Sequence, residues 1–245
     1  MRLSDLVAGV LICGFSAATL GQSAAPDAAP ATPPVTAAGI GNVERMNGTV
    51  TVTPAGEPVR PLNTGDAVRE GDLVITEADS EVLIKLRDDT TLAMRQRSQL
   101  RLTQFKFERS DSDSFLSSLL KGSVRKVSGL IAKSQPRNVR VTTPTATIGI
   151  RGTDFEITII EEESEKTRAG TYDYVTDGAT VLQVATGETL NVDPDQTGLA
   201  LAFPRPGEPV LQLIQGRPAF LRGGGFDAMM MQNARPPLIM MPGRR

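Results

Sequence analysis

Strict alternation of apolar and polar residues limits what this chain can become more than anything else in it. From Val139 to Ile157 the sequence reads Val-Arg-Val-Thr-Thr-Pro-Thr-Ala-Thr-Ile-Gly-Ile-Arg-Gly-Thr-Asp-Phe-Glu-Ile. Val139 and Val141 alternate with Arg140, Ile148 and Ile150 with Gly149 and Arg151, and Phe155 and Ile157 with Asp154 and Glu156. Side chains two apart share one face of a strand, so this period predicts strands with one buried face. Pro144 has no amide hydrogen for a ladder and biases Thr143 to an extended backbone, so it separates two strands at a corner. Gly149 and Gly152 mark places where the chain bends or another backbone comes close.

The same period recurs along the chain. Val50 and Val52, then Val82, Ile84 and Leu86, then Leu92 and Met94, then Leu100, Leu102, Phe105 and Phe107 repeat it, as do Tyr172 with Tyr174 and Leu190 with Val192. Asn47-Gly48 predicts a hairpin, and Gly65-Asp66, Gly71-Asp72, Asp88-Asp89, Asp177-Gly178 and Thr186-Gly187 predict turns. One short helix is expected, with Ser112 or Ser114 capping a turn that carries Phe115, Leu116, Leu119 and Leu120, and Gly122 as its stop. Glycine followed by an alternating run recurs at Gly48, Gly122 and Gly178, a coarse repeat without fixed period. The fold class is therefore mainly β: short antiparallel strands in a twisted sandwich or a solenoid-like stack, with at most one or two short helices.

Composition divides the 245 residues. Met1-Arg2, the apolar run Leu6 to Leu20 and the small residues that follow form a secretory signal pattern, assigned to residues 1–25. Cys13 lies inside it behind Ile12, where a lipoprotein signal wants a small residue, so it is read as apolar filling. Residues 26–39 are an Ala/Pro-rich tether, residues 40–160 a β domain, and residues 161–206 its continuation or a small second lobe. Residues 207–245, rich in Gly, Pro, Met and Arg, are read as a largely disordered tail. No stable membrane span remains after signal removal, the apolar run being shorter than the roughly 20 residues a spanning helix needs.

Several functions are excluded by what is missing. The chain has no His and one Cys, which removes triad chemistry, His-based metal sites and an internal disulfide. No pair of carboxylates stands out for glycosidase-type chemistry. Gly65-Asp66 and Gly71-Asp72 lack the dense acidic spacing of a calcium loop and are read as turns capped by their carboxylates. The Met residues of the tail lack the His or Cys that accompany copper(I) sites. A net charge of −2 and the absence of aromatics among the basic residues argue against nucleic acid. No catalytic residue, cofactor or metal ligand is assigned.

Charge is nevertheless uneven. From Ser114 to Thr153 there is no acid, whereas Lys121, Arg125, Lys126, Lys133, Arg137, Arg140 and Arg151 all fall there. Either these residues form a basic face for an anionic partner, or they alternate outward and pair across the sheet with the acidic run from Asp154 to Glu165. The second reading is preferred, because the two runs adjoin and are of similar size. Arg151 and Asp154 are expected as a packed Arg–carboxylate pair fixing a corner, with an exposed, partner-reading pair as the alternative.

The runs Thr142-Thr143-Pro144-Thr145-Ala146 and Ile150-Arg151-Gly152-Thr153-Asp154-Phe155 resemble the closing motif of the FecR domain family. Gly65-Asp66, Val68, Glu70-Gly71-Asp72, Val74 and Thr76 resemble its opening motif, and Leu83 to Leu92 its middle, in the same order. The resemblance implies an extracytoplasmic, mainly β module used in sensing and protein contact rather than catalysis. In the family's best-known architecture the module follows a cytoplasmic anti-sigma segment and a membrane helix; neither pattern is evident here, so the anti-sigma role is not carried over. The residues singled out for partner binding or as motif positions are Arg140, Thr143, Pro144, Arg151, Gly152, Thr153, Asp154 and Phe155. The expected function is an exported binding or sensing module of the bacterial cell envelope, periplasmic or otherwise extracytoplasmic. Its partner would be an envelope protein or a cell-wall polymer, met through the β domain. The alternative is a scaffolding envelope protein acting through its tether and tail.

Overall fold

A computed structural model describes residues 38–221; the expected signal peptide, most of the tether and residues 222–245 of the tail lie outside the described residues. The strands in order are β1 (Gly41–Asn47), β2 (Val50–Thr53), β3 (Arg60–Pro61), β4 (Ala67–Val68), β5 (Leu73–Thr76), β6 (Glu81–Leu86), β7 (Thr91–Met94) and β8 (Gln99–Lys106). They continue as β9 (Ser114–Lys121), β10 (Ser123–Val127), β11 (Val139–Thr142), β12 (Thr147–Ile160), β13 (Gly170–Gln183), β14 (Thr189–Val192), β15 (Gln196–Leu201) and β16 (Leu211–Gln215). Among the described residues one helix, α1 (Leu130–Ser134), and two 3-10 turns, Pro136–Asn138 and Ala219–Leu221, interrupt them.

All sixteen strands belong to one sheet. One wing runs β3-β2-β5-β8-β9-β11 and the other β4-β1-β6-β7-β10, and β12 joins them. Its first residues pair with β11, from Thr147 opposite Thr142 to Gly149 opposite Arg140, and its later residues with β10, from Asp154 opposite Val127 to Thr158 opposite Ser123. The other edge of β12 pairs with β13 throughout. The register breaks between Arg151 and Phe155, where Gly152 has φ 61°, a left-handed backbone that glycine takes without steric cost. β13 divides in turn, pairing with β14 at its end and β15 at its start. Pairing is antiparallel except between β9 and β11.

Alternation buries a face of most strands in one large core, and Tyr172, Leu199 and Leu201 form a smaller separate cluster with Ile160 and Ile214 packed against it. Val43, Ile84 and Met94 from one wing and Val52, Leu100 and Val139 from the other belong to one buried cluster, with Phe155 and Ile157 of β12 and Leu182 of β13. β13 to β16 extend the same sheet, and Val192 and Ala200 join that cluster.

Four expectations are corrected. The Asn47-Gly48 turn forms, with Gly48 at φ 75°, but β1 and β2 do not pair with each other. β1 pairs with β4 and β6, and β2 with β3 and β5, so the chain changes wing at that turn. Residues 114–121 form strand β9 instead of a helix, with Phe115, Ser117 and Leu119 buried. Phe115 and Leu119 are four apart, a spacing that satisfies either period, and the ladders offered by β8 and β11 decide the outcome. Asp177-Gly178 does not end a strand: β13 passes through it, with Asp177 opposite Asp154 where the register shifts. The expected tail begins too early at residue 207, because Leu211–Gln215 form β16 against β15.

Two glycines act as matched latches. Thr49 N–H and Ser123 N–H, each just after a left-handed glycine, donate at 2.8 Å to the hydroxyls of buried Ser80 and Ser98. A Cβ on Gly48 or Gly122 would come within 2.4 or 2.3 Å of those hydroxyls. The repeat suspected at Gly48 and Gly122 is thus a repeated turn, which the bulge glycine Gly178 does not share.

The core also holds charge. Lys126 is 1% exposed, with its Nζ 4.0 Å above the Phe115 ring and no hydrogen-bond partner among the described residues. Burial pushes its amine from 10.5 down to about 7, against the opposing pull of Asp88. The unfolded chain therefore binds more protons between about pH 7 and 10.5, so this group's penalty is full below pH 7 and fades as pH rises through that window. Lys126→Met keeps an unbranched side chain over Phe115 and removes the charge. We expect it to be more stable than the parent by about 1–3 kcal/mol at pH 6.5 and by less at pH 9.5, measured by urea unfolding of both proteins at each pH.

Candidate functional site

On the face of β11 to β14 opposite the core, register aligns a row of side chains. Arg140 lies opposite Gly149, Gly149 opposite Val181, and Val181 opposite Asn191. One step along, Thr147, Gln183 and Thr189 are aligned in the same way, and Arg151 lies opposite Ala179. A groove of about 550 Å³ crosses this face, with Arg137, Arg140, Thr147, Gly149, Arg151, Val181, Gln183 and Thr189 among its lining residues.

The groove is basic and its floor is low. Arg137, Arg140 and Arg151 are exposed, no acid lines it, and none of the three arginines has an ion-pair partner among the described residues. Gly149 has no left-handed backbone, and a Cβ built on it would meet only the Val181 carbonyl oxygen, at 3.8 Å. Nothing in the backbone requires glycine there. Its missing side chain leaves the depression between Arg140 and Val181, the kind of position in a strand where another molecule approaches closely.

The other basic residues of the run have different fates. Arg125 on β10 holds Asp154 through two hydrogen bonds, Nε to Oδ1 at 2.8 Å and Nη2 to Oδ2 at 2.7 Å. Lys121 meets Glu161 at 2.6 Å, and Lys126 enters the core. Cross-strand pairing thus accounts for Lys121 and Arg125, and an open basic face for Arg137, Arg140 and Arg151.

The residues expected from sequence separate accordingly. Arg140 and Arg151 share the groove. Asp154 does not pair with Arg151: its two carboxylate oxygens are taken by Arg125 of β10, and Arg151, alternating with buried Ile150, stays open on the outer face. Phe155 is fully buried. Thr143 closes the β11–β12 turn: its N–H donates to the Ala146 carbonyl at 2.8 Å, and its hydroxyl lies 2.9 Å from that of Thr171 on β13. Pro144 is exposed in that turn. The side chain of Thr153 lies outside the described residues. Arg137 was not among the chosen residues; its place in the acid-free run was the available signal.

The buried and half-buried ionisable groups elsewhere are structural. Glu156, 1% exposed, accepts from Arg95 Nε and Arg217 Nη2, both at 2.7 Å. Arg95 Nη2 also reaches the Leu221 carbonyl at 3.2 Å, fastening the end of the described chain to the sheet. Arg168 clamps Glu208 at 2.6 and 3.0 Å, and these hydrogen bonds hold the Glu208 carboxyl down to about 2. Asp173 is fully buried on the Thr180 hydroxyl, and burial pushes its carboxyl up to about 7. None of these groups lines the groove. No cluster of three metal-ligating side chains occurs among the described residues.

Residues 72–190 match the family model described as FecR protein. Over these residues, just under half of the chain, the protein resembles the FecR family. Two crystal structures of a proposed anti-sigma factor from Parabacteroides distasonis ATCC 8503, at 1.65 and 2.50 Å, resemble it with TM-scores of 0.46 and sequence identities of 14% and 12%. Each likeness covers 59% of this chain and 59% of the other, so the chain spans about three fifths of those structures. No curated protein matches the chain. Among the described residues no helix is long and apolar enough to cross a membrane.

The geometry separates a structural arginine–carboxylate pair from an open arginine. Asp154→Ala should lower the unfolding free energy by about 1.5–3 kcal/mol, because it strips a half-buried guanidinium of two charged hydrogen bonds. Arg151→Ala should leave it within about 0.5 kcal/mol of the parent. Urea titration of both variants checks this, and Arg125→Ala combined with Asp154→Ala should show the coupling that Arg151→Ala lacks.

Proposed function

We propose that this protein is an extracytoplasmic, non-enzymatic recognition module of the bacterial cell envelope that binds a protein partner through the groove of its FecR-like domain. The observation that carries the reading is the cluster of Arg137, Arg140 and Arg151, open to solvent around a low floor while the neighbouring Arg125 and Lys121 are held in pairs. Like charges set side by side on a sheet repel one another, so the cluster opposes folding slightly. An anionic counterpart across an interface would reverse that sign and speed the encounter.

A non-enzymatic role is supported by the regulatory character of the family and by the groove's own chemistry. Its lining holds arginines, hydroxyls, an amide and apolar groups, with no carboxylate, amine or thiol to serve as base or nucleophile. The signal pattern before the tether supports placement outside the cytoplasm. The same positive charge would suit an anionic wall polymer, which makes that the second reading.

In-cell crosslinking of the full chain, beside an Arg140→Ala/Arg151→Ala variant of unchanged thermal stability, tests both. One discrete protein captured by the parent and lost in the variant is the expected result. Equal capture by both removes the groove from the recognition surface, and capture of polymer alone favours the second reading.

A further inference from the structure

We infer that the groove across β11 to β14 receives an extended acidic peptide segment, with two carboxylate side chains two residues apart and an apolar side chain next on the same face. The inference deepens the recognition reading and rests on it. Arg140 lies opposite Gly149 and Arg151 follows two residues later on the same face of β12. The two arginines are therefore diagonal cross-strand neighbours, about 7–8 Å apart. Alternate side chains of an extended peptide repeat at about 6.6–6.8 Å, so consecutive carboxylates on one face meet one guanidinium each. Each planar guanidinium can hold a carboxylate through two parallel hydrogen bonds.

The floor supplies the apolar half. Gly149 leaves room above the sheet beside Val181, and a peptide side chain can occupy the volume that a residue with a Cβ would have filled. A bare polyphosphate has nothing to place there. Backbone donors also favour the peptide: Arg140, Gly149 and Val181 lie within the ladders, so the groove lacks the concave array of free N–H groups that holds phosphate.

The test measures fluorescence anisotropy of a labelled Thr-Glu-Thr-Glu-Thr-Leu-Thr peptide with the purified full chain at low salt. Replacing both Glu by Gln should weaken binding at least about tenfold, as should Arg140→Ala/Arg151→Ala in the protein. Gly149→Val keeps all three arginines and fills the floor. It should weaken the Leu-containing peptide and leave a peptide with Gly in place of Leu unchanged. Thermal unfolding of each variant establishes that it is folded.

Equal affinity for the Glu and Gln peptides overturns the inference. So does tight binding of inorganic polyphosphate that Gly149→Val leaves unchanged while the Glu peptide fails to compete, which identifies a polyanion site. If the peptide fails but crosslinking in cells still depends on Arg140 and Arg151, the acidic-peptide class falls and the recognition reading stands. If both fail, both fall.

Discussion

One edge of β12 lies against β13, while the other is divided between β11 and β10. A straight strand could not serve both wings. The bend at Gly152 makes it possible, because a left-handed residue at a bulge redirects the chain while pairing with β13 resumes beyond it. The consequences run outward from that point. Phe155 and Ile157 enter the core, Asp154 turns to Arg125, and Arg151 is left on the outer face beside Arg140. The corner that completes the sheet also composes the groove.

Electrostatics follow from the same division. A carboxylate removed from water needs compensating donors, and Glu156 has two guanidiniums. Lys126 has an aromatic face and no acceptor among the described residues, so burial lowers the affinity of its amine for a proton. The groove arginines sit where water solvates them at little cost. Desolvation thus sorts the basic run, confining weakly compensated charge to one interior site and leaving the remainder for contact.

Period two was legible at nearly every strand, because a half-buried strand must write its burial into its sequence. Pairing was not. Asn47-Gly48 reads as a hairpin, but whether its flanking strands pair depends on β5 and β6, which lie far along the chain. The 114–121 segment offered both periods, and only a neighbouring ladder resolves them. At the site, Arg140 and Arg151 were legible from the acid-free run and the motif. The rejection of an Arg151–Asp154 pair was not, since it depends on Arg125 of β10 holding Asp154 across a ladder that the local sequence does not reveal. Arg137 becomes part of the groove only because the 3-10 turn Pro136–Asn138 places it beside β11.

The interleaving of the two wings has a consequence for how such a chain is made. β1, β4, β6, β7 and β10 build one wing and β2, β3, β5, β8, β9 and β11 the other, so the chain crosses between them repeatedly and neither is a contiguous piece. Until β12 is present no strand hydrogen-bonds to both, and β10 and β11 each present an open edge. A chain delivered from its N-terminus, by a ribosome or through a translocation pore, thus carries two unfinished half-sheets until residues 147–160 emerge. The segment that completes the fold arrives late, and the exposed edges before it set the interval in which a chaperone or a neighbouring chain has most to hold.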